Sequence, residues 1–402
     1  MQKKIVIVGA GFSGTMSALS AARVRAEAGA EAELDIVVVA PEPVLTIRPR
    51  LYEDNPALMG APLEELFEVT GIRFIDGFVR AIGTEFPELT IERRSGEFET
   101  LIYDRLVLAA GSRVVHPPIP GLADYAFSVD QRREAEVLWE HVHALARLPQ
   151  SLERDTVVIA GGGFTGIETA AEMPARLRSI LGDDAAVRVV IVERAPEIGP
   201  DLGVGPRPVI EEALGAMGVE LVLGKAVTCV DPSGVTLEDG TRIPSNTVVW
   251  TGGLRASPLA DMIDAPKDAL GRLVVDRHLR VARNPVIFAS GDMACAQTDD
   301  LGHQTLMACQ HAMPLGRFSG HNAAADLLGR PTLPYSQERY VTCLDLGPWG
   351  AIFCEGWDRK VVFSGAEAKK IKSEINSVFI YPPKADREKA LAAATPGITA
   401  DV

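Results

Sequence analysis

Apolar and polar positions alternate along this chain with two different periods. Residues 4–8 and 35–39 are almost unbroken apolar runs, the pattern of parallel strands buried on both faces. The alanine-rich stretch between them, about Gly11 to Ala28, predicts a helix. Residues 72–110 change period. Phe74-Ile75, Phe78-Val79, Leu89-Thr90-Ile91-Glu92 and Leu101-Ile102-Tyr103 alternate with turn residues and predict antiparallel strands. A buried run follows at Arg105–Gly111, and the proline-rich crossing His116–Gly121 marks a boundary. A helix over about 130–146, a strand over 187–192 and a strand-rich stretch over 219–251 build a second unit. The chain rejoins the first unit near 272 through Val286–Ala289 and a helix over about 305–328. Residues 332–381 are a third region of short strands. Polar, alanine-rich sequence after Pro383 predicts a loose terminal helix.

The same short pattern closes the leading strand of both units. Ile5-Val6-Ile7-Val8 runs into Gly9-Ala10-Gly11-Phe12-Ser13-Gly14, and Val157-Val158-Ile159-Ala160 into Gly161-Gly162-Gly163-Phe164-Thr165-Gly166. In such a G-x-G-x-x-G, the first glycine permits a tight turn. The second lets the backbone approach a pyrophosphate at a helix N-terminus, and the third lets helix and strand pack closely. Two copies in strand–turn–helix context predict two dinucleotide sites, and so a relay from a nicotinamide to a flavin. The expected architecture is α/β: two Rossmann-like dinucleotide-binding domains plus a small C-terminal α+β domain. The boundaries are 1–125 and 266–330 for the two parts of the first domain, 126–265 for the second and 331–402 for the third.

Composition narrows the possibilities. The net charge of −14 argues against nucleic acid and anionic membrane as partners. No apolar run reaches the roughly 18 residues of a membrane span, and Met1-Gln2-Lys3-Lys4 leads straight into a strand, so a cytoplasmic protein without a leader is expected. The five cysteines, Cys229, Cys295, Cys309, Cys343 and Cys354, include no C-x-x-C and fit neither a disulfide framework nor zinc. No metal site is expected.

An acid at the end of the second strand of a dinucleotide fold takes the ribose hydroxyls. In the second unit that acid is Glu193, which favours NADH over NADPH, although Arg194 beside it suits a phosphate. The first unit has Ala40 there, with Glu42 two residues on as the substitute. Glu168 lies just inside the helix after Gly166, where it would stand near the nicotinamide and the flavin edge. Asp292, in Phe288-Ala289-Ser290-Gly291-Asp292, suits a ribityl hydroxyl.

Together these segments resemble the two-dinucleotide-binding flavoproteins, the pyridine nucleotide–disulfide oxidoreductase superfamily, and within it the type II NADH:quinone oxidoreductases. Gly161–Glu172 is similar to that branch's G-G-G-x-T-G-x-E-x-A-x-E, Val248–Gly253 to V-I-W-T-A-G, Phe288–Asp292 to F-A-x-G-D, and Leu106–Ser112 to L-V-I-A-T-G. Pro49-Arg50-Leu51-Tyr52 is similar to P-L-L-Y. The resemblance covers about residues 3–330. It implies FAD and NADH as cofactors and adds Arg48, Ala110, Gly111 and Gly253 to the cofactor-binding set of Gly9, Gly11, Gly14, Glu42, Asp292, Gly161, Gly163, Gly166 and Glu193. It also implies a quinone or quinone-like acceptor beside Gln310 and His311, with Glu168 the third catalytic residue. His311 is read either as a proton donor or as a helix histidine bonded to backbone. The branch's A-Q-x-A-x-Q is altered here to Cys309-Gln310-His311-Ala312-Met313-Pro314. Ala366–Phe379 carries Ile371, Ile375 and Val378 on one face, flanked by lysines, a spacing that suits packing against the protein itself. Alternative activities are an NADH-dependent reductase of a carrier protein or of a specialised biosynthetic substrate, sulfide:quinone chemistry through Cys309 and Cys343, or redox sensing without turnover. A homodimer through the third region is expected.

Overall fold

The computed structural model describes residues 2–398. The first unit opens with strand β1 (Lys3–Val8), helix α1 (Phe12–Ala28) and strand β2 (Leu34–Ala40), followed by β3 (Arg73–Asp76) and β4 (Arg105–Leu108). All four strands are parallel neighbours in the order β3-β2-β1-β4. Ile5, Val6 and Ile7 are wholly buried, as are Ile36, Val37 and Val38. Each such side chain contributes about 1.5–3 kcal/mol relative to exposure, so the continuous apolar runs dictate a central parallel sheet. One expectation is corrected here. Phe74-Ile75 pairs parallel to Val38-Val39 in this sheet, because helix Glu64–Thr70 makes the crossover that a parallel pair requires. The antiparallel sheet starts only at Phe78, with strands Phe78–Gly83, Glu88–Glu92 and Phe98–Ile102.

The second unit repeats the plan. Helix α2 (Arg132–Ala144) leads into β5 (Thr156–Ala160), α3 (Phe164–Leu181), β6 (Arg188–Glu193), β7 (Val219–Leu223) and β8 (Thr247–Trp250). Its parallel sheet runs β7-β6-β5-β8, ending in the short strand Ala126–Phe127. Ile119 and Leu122 already pack in this unit's core. Two antiparallel segments, Ser112–Val114 and Leu254–Ala256, tie the units together.

The chain then returns to the first sheet as β9 (Asn284–Ala289), parallel to β4, and continues into helix α4 (Cys309–Leu327). Helices α1 and α4 pack almost backbone to backbone. A methyl on Gly316 or Gly320 would collide with the carbonyl oxygen of Ser13 or Ser17. Buried hydroxyls fill this seam, with Ser17 bonded to Ser319 (2.9 Å) and Ser319 to Ser290 (3.0 Å).

The third region is an antiparallel sheet of β10 (Val341–Asp345), β11 (Ala351–Glu355) and β12 (Lys360–Gly365), followed by helix α5 (Ala366–Glu374) and a π-helical turn over Ile375–Phe379. Leu344, Ile352 and Cys354 face the core of the second unit, while Phe353 and Ala351 face α5. The tail expected to be loose is docked. Helix α6 (Arg387–Ala393) lies against α1 and Glu64–Thr70, with Ala390 and Ala394 wholly buried. The small alanine side chains allow that close approach. Among the described residues, no helix is long and apolar enough to cross a membrane.

Candidate functional site

The two cradles superpose residue by residue through their hydrogen bonds. Val8 pairs with Val39, and Gly9 N–H donates to Val39 O. Ala160 pairs with Val192, and Gly161 N–H donates to Val192 O. Gly9 and Gly161 have φ of +111° and +124°, a conformation that excludes side chains. A methyl on Gly14 would collide with the carbonyl oxygen of Gly9, and one on Gly166 with that of Gly161. Gly11 and Gly163 instead face open space, as do Gly111 and Gly253 at φ of +69°. In each unit, bare backbone at a helix start therefore borders a space where no side chain intrudes, which fits a pyrophosphate.

The same register makes Ala40 the counterpart of Glu193. Glu193 is 7% exposed, and both its oxygens accept backbone N–H groups, from Gly162 (2.7 Å) and Ala195 (2.8 Å). Glu42 is not free in the same sense. Its carboxylate is held by Arg94 (2.5 Å) and Arg132 (2.9 Å), with Arg133 at 3.6 Å. Asp292 lies just beyond β9, where Ser112 Oγ donates to it (2.6 Å) and the Arg48 guanidinium stands 3.5 Å away. Burial pushes its carboxyl upward, against the opposing pull of Arg48. Arg48 also donates to Asp130 O and Ser112 Oγ and pairs with the Asp130 carboxylate, so it joins the first unit to the segment entering α2. Ala110 follows β4, opposite the turn at Gly9.

Glu168 has a partner that sequence reasoning missed. The carboxylate, 4% exposed, accepts from Lys372 Nζ (2.7 Å) and from Asp345 N–H (3.0 Å). Lys372 is 5% exposed, also donates to Cys343 O (3.0 Å), and lies 5.7 Å from the Phe164 ring centroid. Burial pushes the Glu168 carboxyl up to about 7, although Lys372 and the Asp345 N–H pull it down. Lys372 keeps its charge, since Glu168 raises it against its own burial. Around this pair, Lys369 binds the Asp345 carboxylate (2.5 Å), which also accepts from Tyr52 (3.2 Å). The buried positions beyond β12 are Ala368, Lys372, Asn376 and Ile380. Ile371 and Ile375 pack on the cores as their spacing predicted, while Val378 is 59% exposed. A lysine among exposed lysines carries no signal for burial.

Gln310 and His311 sit in the first turn of α4. The Gln310 amide clasps the start of β10, donating to Val341 O and accepting from Val341 N–H (2.9 Å). His311 is wholly buried and bonded through Nδ1 to Gln337 Oε1 (3.1 Å), while its Nε2 has no hydrogen-bond partner among the described residues. The ring stacks with Tyr340 and Trp357, at 5.5 Å and 6.0 Å between centroids. Burial pushes the imidazole down to about 4, so it is neutral at physiological pH and carries no imidazolium proton to give. Its side-chain bond goes to Gln337, not to the helix backbone.

All five cysteines are free. Burial pushes the Cys343 thiol up to about 12 and raises Cys309, so neither offers the thiolate that sulfur chemistry needs. Among the described residues, no group of His, Cys, Asp and Glu could hold a metal ion.

Comparison with known proteins decides the lineage. Residues 3–316 match the family model for pyridine nucleotide-disulphide oxidoreductases. The chain belongs to this family. It is therefore an oxidoreductase of the pyridine nucleotide type, and FAD and NADH are the cofactors used by its relatives. An NADH dehydrogenase-like protein of Mycobacterium tuberculosis is 43% identical over 399 residues, covering 98% of both chains. The demethylphylloquinone reductase of a Synechocystis species is 30% identical, over 87% of this chain and 86% of that one. The fold is shared with the NDH2 of Plasmodium falciparum solved with NADH, at a TM-score of 0.78, 14% identity and 98% coverage of each chain.

Proposed function

We propose that this chain is an FAD-dependent NADH dehydrogenase that delivers electrons to a quinone or quinone-like small acceptor. The observation that carries the reading is the pair of equivalent cradles, of which only the second ends its neighbouring strand in an acid, Glu193, a residue type suited to ribose hydroxyls. FAD suits the first cradle, with Asp292 and Arg48 beyond the strand ends, and NADH the second. Bound FAD supplies the two-electron chemistry between NADH and the acceptor.

The chain's own residues position and protonate. Gly11 and Gly14, like Gly163 and Gly166, would offer backbone at a helix N-terminus to each pyrophosphate, while Gly9 and Gly161, whose N–H groups bond to Val39 O and Val192 O, make the tight turns. Ser112 and Arg48 hold Asp292 beyond β9, where it would take a ribityl hydroxyl of bound FAD. Reducing a quinone to a hydroquinone by NADH consumes one proton from solvent. Glu168, with its carboxyl near 7, holds or releases a proton at neutrality, and Lys372 fixes its orientation. Gln310 anchors α4 to the third region and so acts by positioning. The demethylphylloquinone reductase activity of a 30% identical relative supports a naphthoquinone-type acceptor.

Anaerobic stopped-flow tests the reading. Mixing the yellow protein with NADH should bleach the flavin band, and menadione should restore it quickly. Bleaching without reoxidation by any quinone would move the acceptor to a carrier protein or a specialised substrate. No bleaching would remove NADH as the donor.

A further inference from the structure

The antiparallel sheet of the first unit has a bare edge. Its strands run in the order Phe78–Gly83, Glu88–Glu92, Phe98–Ile102, so the last has a neighbour on one side only. Two hydrogen bonds fix which of its residues face that neighbour. Arg93 N–H donates to Glu97 O (2.8 Å) and Tyr103 N–H to Pro87 O (2.9 Å), both in the register that pairs Thr90 with Thr100. Bonded and unbonded positions alternate along an antiparallel ladder, so Glu99 and Leu101 also turn their backbone groups inward. Phe98, Thr100 and Ile102 turn theirs outward, where no other strand of the described residues pairs with them. The side chains of the same residues stand on an open face. Phe98 and Ile102 are each 67% exposed, with Thr100 exposed between them. Other antiparallel edges in this chain are blunted. Phe78–Gly83 has a bulge between Val79 and Ala81, Arg242–Pro244 ends in a proline, β12 begins at Lys360, and Gln310 clasps the start of β10. Phe98–Ile102 has no lysine, no proline and no bulge.

The strand is complementary to itself. With two copies antiparallel about a two-fold axis at Thr100, Phe98 faces the partner's Ile102 and Thr100 faces the partner's Thr100. These are the residues whose backbone groups point outward, so each facing pair can exchange its N–H···O bonds. Aromatic against β-branched and threonine against threonine are favourable cross-strand pairs. Glu99 then faces the partner's Leu101, and Glu97 the partner's Tyr103, so no like charges meet. Moving the axis to Glu99 would set two carboxylates face to face, and moving it to Leu101 would set Phe98 against the partner's Asp104. Acids beside the edge are also neutralised within the chain, since Arg93 binds Glu99 (2.6 Å) and Arg80 binds Glu92 (2.5 Å).

We infer that Phe98–Ile102 is the interface of a homodimer. Two copies join edge to edge into one continuous antiparallel sheet, with Thr100 on the two-fold axis. The sheet of the third region is less suited to this, because the second unit covers one of its faces and α5 the other.

Sedimentation velocity on the FAD-loaded full chain tests the interface. The wild type should sediment as a dimer that gives way to monomer on dilution. T100P removes the central outward N–H while sparing the inward ladder, and T100K sets two ammonium groups face to face. Either should raise the dimer dissociation constant about tenfold or more. Flavin content should not change, because Thr100 lies in neither cradle. A disulfide probe reads the register without relying on those variants. T100C should form a covalent dimer under mild oxidation, since facing bonded residues lie about 5.5 Å apart between Cα atoms. E99C, whose side chain faces a leucine, should not, nor should the wild type with its free cysteines. A wild type that stays monomeric at every concentration overturns the inference. So does a dimer that T100P and T100K leave intact and T100C does not cross-link, since another surface then holds it. Cross-linking of E99C in place of T100C overturns the register.

Discussion

Glu168 and Lys372 are each almost fully buried, and such a pair responds very differently to losing one member or both. Removing the lysine strands a carboxylate whose ionised form has lost its partner, so K372M should cost about 3 kcal/mol in urea unfolding. The double variant E168L/K372M should recover most of that loss, because neither charge then needs solvation. The raised carboxyl also has a pH signature. The folded state holds this proton more tightly than the unfolded chain does. The stability due to Glu168 is therefore fully present below the ordinary value of 4.5 and is lost as pH rises to about 7. Wild-type stability minus that of E168Q should decline across this window. In the acceptor half-reaction, the rate of flavin reoxidation should fall as pH passes 7 in wild type, and this inflection should disappear in E168Q.

At the level of elements, each strand–turn–helix cradle depends on its third glycine. The Gly166 position abuts the Gly161 carbonyl, and the Gly14 position abuts that of Gly9. An added methyl must push helix from turn in either unit, but the consequence is local. G166A should raise the KM for NADH about tenfold or more, since a displacement of 1 Å can cost that much in a positioned reaction, while the protein stays yellow. G14A should instead give protein that purifies with little flavin, measured by the ratio of flavin to protein absorbance. Loss of flavin from G166A, with none from G14A, would reverse the assignment of the two cradles.

Across the whole molecule, the third region and tail close the structure onto its first unit. Arg50 binds Glu53 and reaches Tyr381 (3.0 Å), and Asn376 donates to Glu53 (3.0 Å). Farther along, the buried Arg317 donates to Ala393 O (2.9 Å) and Ile398 O (3.0 Å), fixing the end of α6. Burial lowers the Arg317 guanidinium, yet carbonyl bonds satisfy it without a carboxylate. R317M should remove two hydrogen bonds to a charged group and lower the melting temperature by about 4 °C or more. The KM for NADH should not change, because this latch joins α4 of the first unit to the tail. A shift confined to NADH kinetics would contradict a purely structural tail.

The sequence by itself determined both cradles, because glycine at φ above +100° and unbroken apolar strands leave few alternatives. Gly9, Gly14, Gly161 and Gly166 were legible as turn and close-packing positions for that reason, as was the doubled parallel-sheet plan. Tertiary structure decided what depended on distant partners. It moved Phe74-Ile75 into the parallel sheet, since pairing depends on which strand edge is available and not on local alternation. It made His311 a neutral, buried ring, since its surroundings come from residues 337, 340 and 357. It also tied Glu42 to Arg94 and Arg132. It brought Lys372 to Glu168 across 204 positions of chain. Local pattern records which face of an element is apolar. It holds no record of a charge buried because its counter-ion arrives from another domain, and that pairing exists only once the third region has docked.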